Sequence, residues 1–271
     1  MHRAETFCKI SNGSYTVTLS IRTTKGFFSH DPRFAPMAVR VLHPRRESSR
    51  NRGERVVDVV AIARSPSSLE HFEPFDLVET RVCDYSDEAL ASLAEGLRDD
   101  NVDIERLVIC NGVLQGEGYR PERAVNQLDE HAMQRVFEVN TFLPMRVLAA
   151  LTPLLKRSEA PRIAVLSARV GSIGDNRRGG WDTYRGSKAA LNMMLKCAAL
   201  ELHRLNPSAK VLAYHPGTVD TPLSEPFQGS VDPSTLLSPE RAAEALDKVL
   251  AETEPDGELS YLDWRGDVIP W

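Results

Sequence analysis

Cysteine is scarce in this chain: four residues in 271 (Cys8, Cys83, Cys110 and Cys197), with no CxxC pair. That excludes a disulfide scaffold and points to a reduced, cytoplasmic compartment. Cys110 and Cys197 lie in apolar patterns and are expected to be small buried hydrophobes. No cluster of His, Cys and carboxylates has metal-ligand spacing, so no metal is expected. No run approaches the roughly 18 apolar residues of a membrane span, and the first residues lack the charged-then-apolar order of a secretory signal. Glycine is thin at the start, where Gly13, Gly26 and Gly53 stand far apart.

Charge is unevenly spread. Residues 1–55 hold 11 Lys/Arg against 4 Asp/Glu, whereas the remaining residues hold 22 against 34, within a formal net charge of −5. The densest basic stretch, HPRRESSRNRGER, is polar and breaker-rich and reads as a loop or partly disordered leader. No aromatic residue or motif is interleaved with it, so neither nucleic acid nor an organelle transit sequence is expected. From residue 56 onward, apolar runs (VVDVVAIA, FDLVETRV, IERLVIC, RIAVLS, KVLAYH, ELSYLDW) alternate with helical patterns. The helices are DEALASLAEGLRD, residues 129–157, residues 183–205 and SPERAAEALDKVLAET. Start signals stand at Asp129 or Glu130, at Asp182/Thr183 and at Ser238-Pro239-Glu240. Such alternation predicts a parallel sheet covered on both faces.

The most specific local feature is WDTYRGSKAALNMMLKCAALEL. Apolar residues recur at Ala190, Met193, Met194, Cys197 and Leu200, an amphipathic helical pattern. On that helix Tyr184 and Lys188 are one turn apart on one face. A cation beside a phenol favours the phenolate and lowers a pKa that otherwise lies near 10. Such a pair suits proton exchange with an alcohol or carbonyl oxygen. A lone YxxxK is also a common surface accident.

Its neighbours are RIAVLS ending at Ser167, then ARVGSIGDN; LVICNG ending at Asn111 and Gly112; VFEVNTF with Asn140; and VLAYHPGTVDTP. In this order and at these spacings they resemble the short-chain dehydrogenase/reductase family over residues 56–271. The strings SARVGSI, YRGSKAALNM and HPGTVDTP, and the W-x-G-x-x-x-PW ending, are similar to the bacterial C-factor-like branch. The resemblance implies one Rossmann-type α/β domain: a doubly wound parallel sheet with helices on both faces and an atypical first β-α unit.

It also implies site roles. Tyr184 would protonate a carbonyl oxygen, with Lys188 lowering its pKa and contacting the nicotinamide ribose. Asn140 would hold a water in a proton relay. Ser167 is the chosen oxyanion serine, with Ser172 a competitor. Their separations from Tyr184 are 17 and 12 residues, against about 13 in the family, and Gly171 aligns the family's active serine with Ala168. Arg64 and Ser65, after VVAIA, suit a 2′-phosphate, so NADP is favoured over NAD. Asp84 would lie near the adenine or cap the following helix. Asn111 and Gly112 would line the adenine ribose, Cys110 standing where the family has another Asn. Pro216, Gly217, Val219 and Thr221 match the turn that grips the nicotinamide. His215 reads as a packed strand end. Small carbonyl or alcohol substrates and a homodimer or homotetramer follow from the same resemblance.

The family's opening TGxxxGxG turn is missing. SYTVTLSIRT (14–23) reads as a strand and PRFAPMAVRVLH (32–43) as a short helix, and the link between them is a poor phosphate cradle. Three readings stand. The turn is atypical, cofactor binding is lost, or residues 1–55 arise from a shifted frame or start; the abrupt change near Val56 favours the third. An intact Tyr184/Lys188 pair favours an oxidoreductase, and the missing turn favours a signalling or regulatory protein with weak or no cofactor binding.

Overall fold

The computed structural model of this chain describes residues 37–42, 59–72, 75, 77–230 and 232–271. The expected strand at 14–23 lies outside them. Seven strands form one sheet in the order β3-β2-β1-β4-β5-β6-β9, and two short ones pair separately. These are β1 Met37–Leu42, β2 Val59–Ala63, β3 Val78–Val82, β4 Asp103–Ile109, β5 Arg162–Leu166, β6 Lys210–His215, β7 Thr218–Val219, β8 Leu236–Leu237 and β9 Ser260–Asp263. The described α-helices are α1 Asp87–Asp99, α2 Glu130–Phe137, α3 Leu143–Arg157, α4 Asp182–Leu205 and α5 Pro239–Glu252.

Side chains alternate across the sheet with the two-residue period of a strand. Ile163 and Val165 of β5, with Val211 and Ala213 of β6, join a core shared with α1, α3 and α4. Ala164, Leu212 and Tyr214 point the other way, onto Leu246, Val249 and Leu250 of α5. Both faces of the central strands are therefore covered, which explains their nearly unbroken apolar sequences. At β2 the second face packs Ala61 and Ala63 against Leu69, Phe72 and Val78, around two 3-10 turns.

The parallel frame has one exception. β2–β3, β4–β5, β5–β6 and β6–β9 pair in parallel, but β1 is antiparallel to both β2 and β4. Met37 stands opposite Ile62 and Ile109, at the carboxyl ends of those strands, and Leu42 opposite Asp103 at the amino end of β4. This corrects the expected helix over 32–43: MAVRVL is a strand, its short apolar run being ambiguous by periodicity alone. The sheet thus takes one of its inner strands from within the basic leader.

Two helix expectations also change. The pattern over 129–157 is not one helix, because a π-helical turn over Glu138–Phe142 separates α2 from α3. Pro144 has no N–H for the Asn140 carbonyl, which opens the ladder there, and Leu143 N–H bonds Glu138 instead. On α4, the buried face is Ser187, Lys188, Leu191, Asn192, Leu195, Ala199 and Leu202. Met193, Met194, Cys197 and Leu200 are exposed, so Cys197 is not a buried hydrophobe. No helix of the described residues is long and apolar enough to cross a membrane, and no group of three or more His, Cys, Asp or Glu among them could hold a metal ion.

Candidate active site

The carboxyl ends of β4, β5 and β6 open toward the first turns of α4. That helix begins in an unusual way. Trp181 precedes it in the left-handed region (φ +56°), a conformation costing a bulky residue about 1–3 kcal/mol. The cap comes from a distant loop. Buried Glu122 accepts the Thr183 backbone N–H and hydroxyl through its carboxylate, and its carbonyl accepts the Trp181 N–H at 2.6 Å. A carboxylate there meets both the free N–H groups and the positive helix end. The start signal expected at Asp182/Thr183 is therefore supplied by a residue 61 positions earlier.

Lys188 is buried, and its Nζ donates to the Leu166 carbonyl at 2.7 Å. Burial pushes its pKa down to about 7. Tyr184 is half-buried, and burial followed by the nearby Tyr261 phenol pushes its pKa up to about 12. Burial therefore outweighs the acidification of the phenol that the Tyr184/Lys188 spacing leads one to expect. A lysine desolvated this strongly is only partly charged near neutral pH, and the neighbouring Tyr261 phenol, itself held protonated, adds a smaller push to Tyr184 in the same direction as burial.

Asn140 sits fully buried at the π turn. Its Oδ1 accepts the Val113 N–H at 2.7 Å, and its Nδ2 donates to the Val113 carbonyl and to Ser187 Oγ. It therefore ties the loop after β4 to α4. A methyl added at Gly112 would lie 3.7 Å from both Asn140 Oδ1 and Lys188 Nζ, so these three positions face one spot.

The serine positions answer differently. Ser167 is buried and its hydroxyl donates to Asn192 Oδ1 at 2.6 Å, two turns along α4 from Tyr184. Ser172 donates to the Pro270 carbonyl and accepts the Asp175 N–H, which commits it to the loop and the chain's last residues. Neither hydroxyl bonds Tyr184. Between them lies Tyr261, missed in the sequence: its hydroxyl donates to the Ala168 carbonyl at 2.6 Å and interacts with Asn192 and Ser167. Its ring stacks on Trp271, whose carbonyl accepts the Gly174 N–H. Strand alternation in ELSYLDW could have placed Tyr261 inward, but not beside Tyr184.

After β6, Pro216 and Gly217 turn the chain into β7, which holds Val219. Gly217 has φ +78°, and a Cβ there would meet Trp264 at 2.8 Å and Leu237 at 2.9 Å; only glycine fits. The Thr221 hydroxyl donates to the Val219 carbonyl at 3.3 Å. His215 is packed at the strand end, and burial lowers its pKa to about 4.

At the other end of the groove, Arg64 lies 5.7 Å from the centroid of the Tyr85 ring. The Tyr85 hydroxyl donates to the Ile62 carbonyl and interacts with Asn111. Asp84 accepts the Ser86 N–H at 2.8 Å, which, with Arg64 adding a smaller pull, holds its carboxyl below the ordinary range. Ser86, not Asp84, caps α1, accepting the Ala89 N–H. The Ser65 hydroxyl is engaged with Ser67 and Ser68.

Among the described residues, a dinucleotide would find candidate contacts at its ends and none at its middle. Lys188 retains two N–H groups beyond its bond to Leu166, and Gly112 leaves room beside it. Arg64, Asp84 and Asn111 gather at the far end. The pyrophosphate needs a turn and helix start following the strand between β2 and β4, at the carboxyl edge. Here the carboxyl end of β1 lies at the opposite edge.

The family model of the short chain dehydrogenases matches residues 53–230. The 1-hydroxy-2-glutathionyl-2-methyl-3-butene dehydrogenase of Rhodococcus sp. is 32% identical over 196 residues, covering 72% of this chain and 80% of that protein. The C-signal protein of Myxococcus xanthus is 32% identical over 149 residues, covering 55% and 84%. A solved short-chain dehydrogenase/reductase from Burkholderia multivorans with bound NADP superimposes with a TM-score of 0.64 at 25% identity, covering 83% of this chain and 91% of that one. With the matched region spanning β2 through the loop after β7, this chain belongs to the short-chain dehydrogenase family of NAD(P)-dependent oxidoreductases acting on CH–OH and C=O groups.

Proposed function

We propose that this chain interconverts a carbonyl and an alcohol on a small molecule with NADP(H), using Tyr184 as the acid–base group. The observation that carries this reading is the shared spot in front of Gly112, Asn140 Oδ1 and Lys188 Nζ, one helical turn from Tyr184. When bound, the nicotinamide supplies or takes the hydride. Tyr184 Oη gives its proton to the carbonyl oxygen in reduction and takes it back in oxidation. Lys188, as the ammonium, would orient ribose hydroxyls with its two remaining N–H groups, and their acceptor lone pairs would favour that charged form, which draws the Tyr184 pKa down. Asn140 fixes the floor of the site through Val113 and Ser187, and a water on its remaining lone pair would complete a proton path. Ser167 is retained as the oxyanion donor, released from Asn192 by a rotation of its hydroxyl. Arg64 and Ser65 favour NADP over NAD; Asp84, Asn111 and the turn of Pro216, Gly217, Val219 and Thr221 hold the rest of the cofactor. The same reading gives a cytoplasmic homodimer or homotetramer, supported by the exposed Met193, Met194 and Leu200 of α4 and Phe142 ahead of α3.

The test is NADPH-dependent reduction of a panel of aldehydes and ketones by the purified chain and by Tyr184→Phe. Wild type turns over, and the variant loses about 10²- to 10⁴-fold in kcat/KM with NADPH fluorescence binding retained. Equal rates in the two proteins would remove Tyr184 from the mechanism. A second reading, a regulatory protein of C-factor-like type with weak or no cofactor binding, is favoured by the reversed β1. Sub-micromolar NADPH binding would eliminate it.

A further inference from the structure

Next to the catalytic tyrosine lies a cavity of about 670 Å³ whose walls are unlike the rest of the groove. Arg120, Arg123, Gln115 and Gln127 come from the loop after β4, and Trp181 and Phe227 close the other side. The Trp181 and Phe227 rings meet edge to face at 5.0 Å, and the Trp181 ring also meets the Tyr184 ring at 6.3 Å. One indole thus both lines the cavity and touches the reacting phenol. Neither Arg120 nor Arg123 has a guanidinium hydrogen bond or ion pair among the described residues, and no carboxylate is among the residues lining the cavity.

Exposed arginines are usually solvated, but this loop is fixed. Glu122, between Arg120 and Arg123, turns its carboxylate into the start of α4 and takes the Trp181 N–H on its carbonyl. The residue that caps the catalytic helix therefore also sets the two cations and the strained indole in one frame. A cavity of this size suits a small molecule. Paired guanidinium groups with two side-chain amides suit a planar or tetrahedral anion, and the aromatic pair suits an apolar body.

We infer that this cavity is the specificity pocket of the proposed reaction, taking substrates that carry an anionic group, carboxylate or phosphate, on an apolar or aromatic body remote from the reacting carbonyl. The inference rests on the oxidoreductase reading for its meaning, but its binding part stands apart from turnover. The probes are 2-naphthoate, 2-naphthyl phosphate and neutral 2-naphthamide, followed by quenching of tryptophan fluorescence, with Trp181→Phe to assign the signal. Wild type and Tyr184→Phe bind at least one anion about tenfold more tightly than the amide. The variant Arg120→Gln/Arg123→Gln loses that preference. Which anion binds more tightly tells carboxylate from phosphate. Equal binding of all three probes, or an undiminished preference in the arginine variant, overturns the inference. In parallel, kcat/KM is compared for 4-carboxybenzaldehyde and its methyl ester. Turnover without any anion preference in binding or rate sinks the pocket and leaves the oxidoreductase reading standing. Anion preference in a chain that reduces neither aldehyde sinks the oxidoreductase reading and leaves the pocket as a binding site.

Discussion

The two halves of the sheet are built to different standards. From β4 to β9 every pair is parallel, both faces are covered, and three side chains of the candidate site are held by backbone groups of a neighbouring element: Lys188 by Leu166, Asn140 by Val113, Tyr261 by Ala168. From β3 to β1 the strand that joins the two halves, β1, is reversed, and the second face of β2 is packed by 3-10 turns. The difference teaches that the part of the fold proposed to transfer the proton is self-supporting. Its pieces brace one another through α4, the π turn and the end of the chain, and none of those braces passes through β1.

Three measurements test that contrast, the largest effect first. Lys188 has its proton affinity lowered to about 7 in the folded chain from an ordinary 10.5. The unfolded chain binds the extra proton between these values, so folding stability rises with pH there, by at most about 1.4 kcal/mol per unit. Below about 7 both states are protonated and the full penalty remains. Tyr184 and Tyr261 hold their protons to about 12 and reverse the trend above 10. Urea unfolding from pH 7 to 10 should show the rise, and Lys188→Met should flatten it. A slope unchanged in the variant would mean that the all-parallel half does not bury a reluctant cation.

Gly217→Ala is expected to cost about 1–3 kcal/mol of stability, because the new methyl must displace Trp264 and Leu237 at a positive φ. A thermal melt checks it; an unshifted midpoint would mean that the turn after β6 is looser than the rest of its half. The smallest effect falls on the other half. Arg64→Ala should cut the preference for NADPH over NADH by about tenfold or less, since one charge-assisted contact is removed from a ring-stacked side chain. Competition binding of the two cofactors measures it. No change would mean that β2 contributes nothing to cofactor choice.

Much of the better-built half could be read from residues. The alternation from Val56 onward gives β2–β6 and β9 with their helices, and Tyr184, Lys188, Asn140 and the Pro216–Thr221 turn all lie at the carboxyl edge. The rest depended on contacts distant in sequence. Nothing near Asp182 announces that Glu122 caps α4, and nothing in ELSYLDW places Tyr261 beside Tyr184 and Ser167. Pro144 was the available signal for the π turn, outweighed by an unbroken helical pattern on both sides. The reversed β1 was hidden for a different reason: a six-residue run that is almost wholly apolar specifies neither strand nor direction. The helical stripe of Met193, Met194, Cys197 and Leu200 was legible as apolar, but a long helix with apolar residues on two sides does not say which side is inward.

That outward stripe has a mechanical meaning. α4 is a single rod of 24 residues, about 36 Å long at the usual rise, with the phenol and amine on its inner side and the methionines on its back. A second copy gripping the methionines would hold the same rigid lever that aims the phenol. Tightening or slackening that grip would then be felt in the reacting groove without any loop having to carry the message.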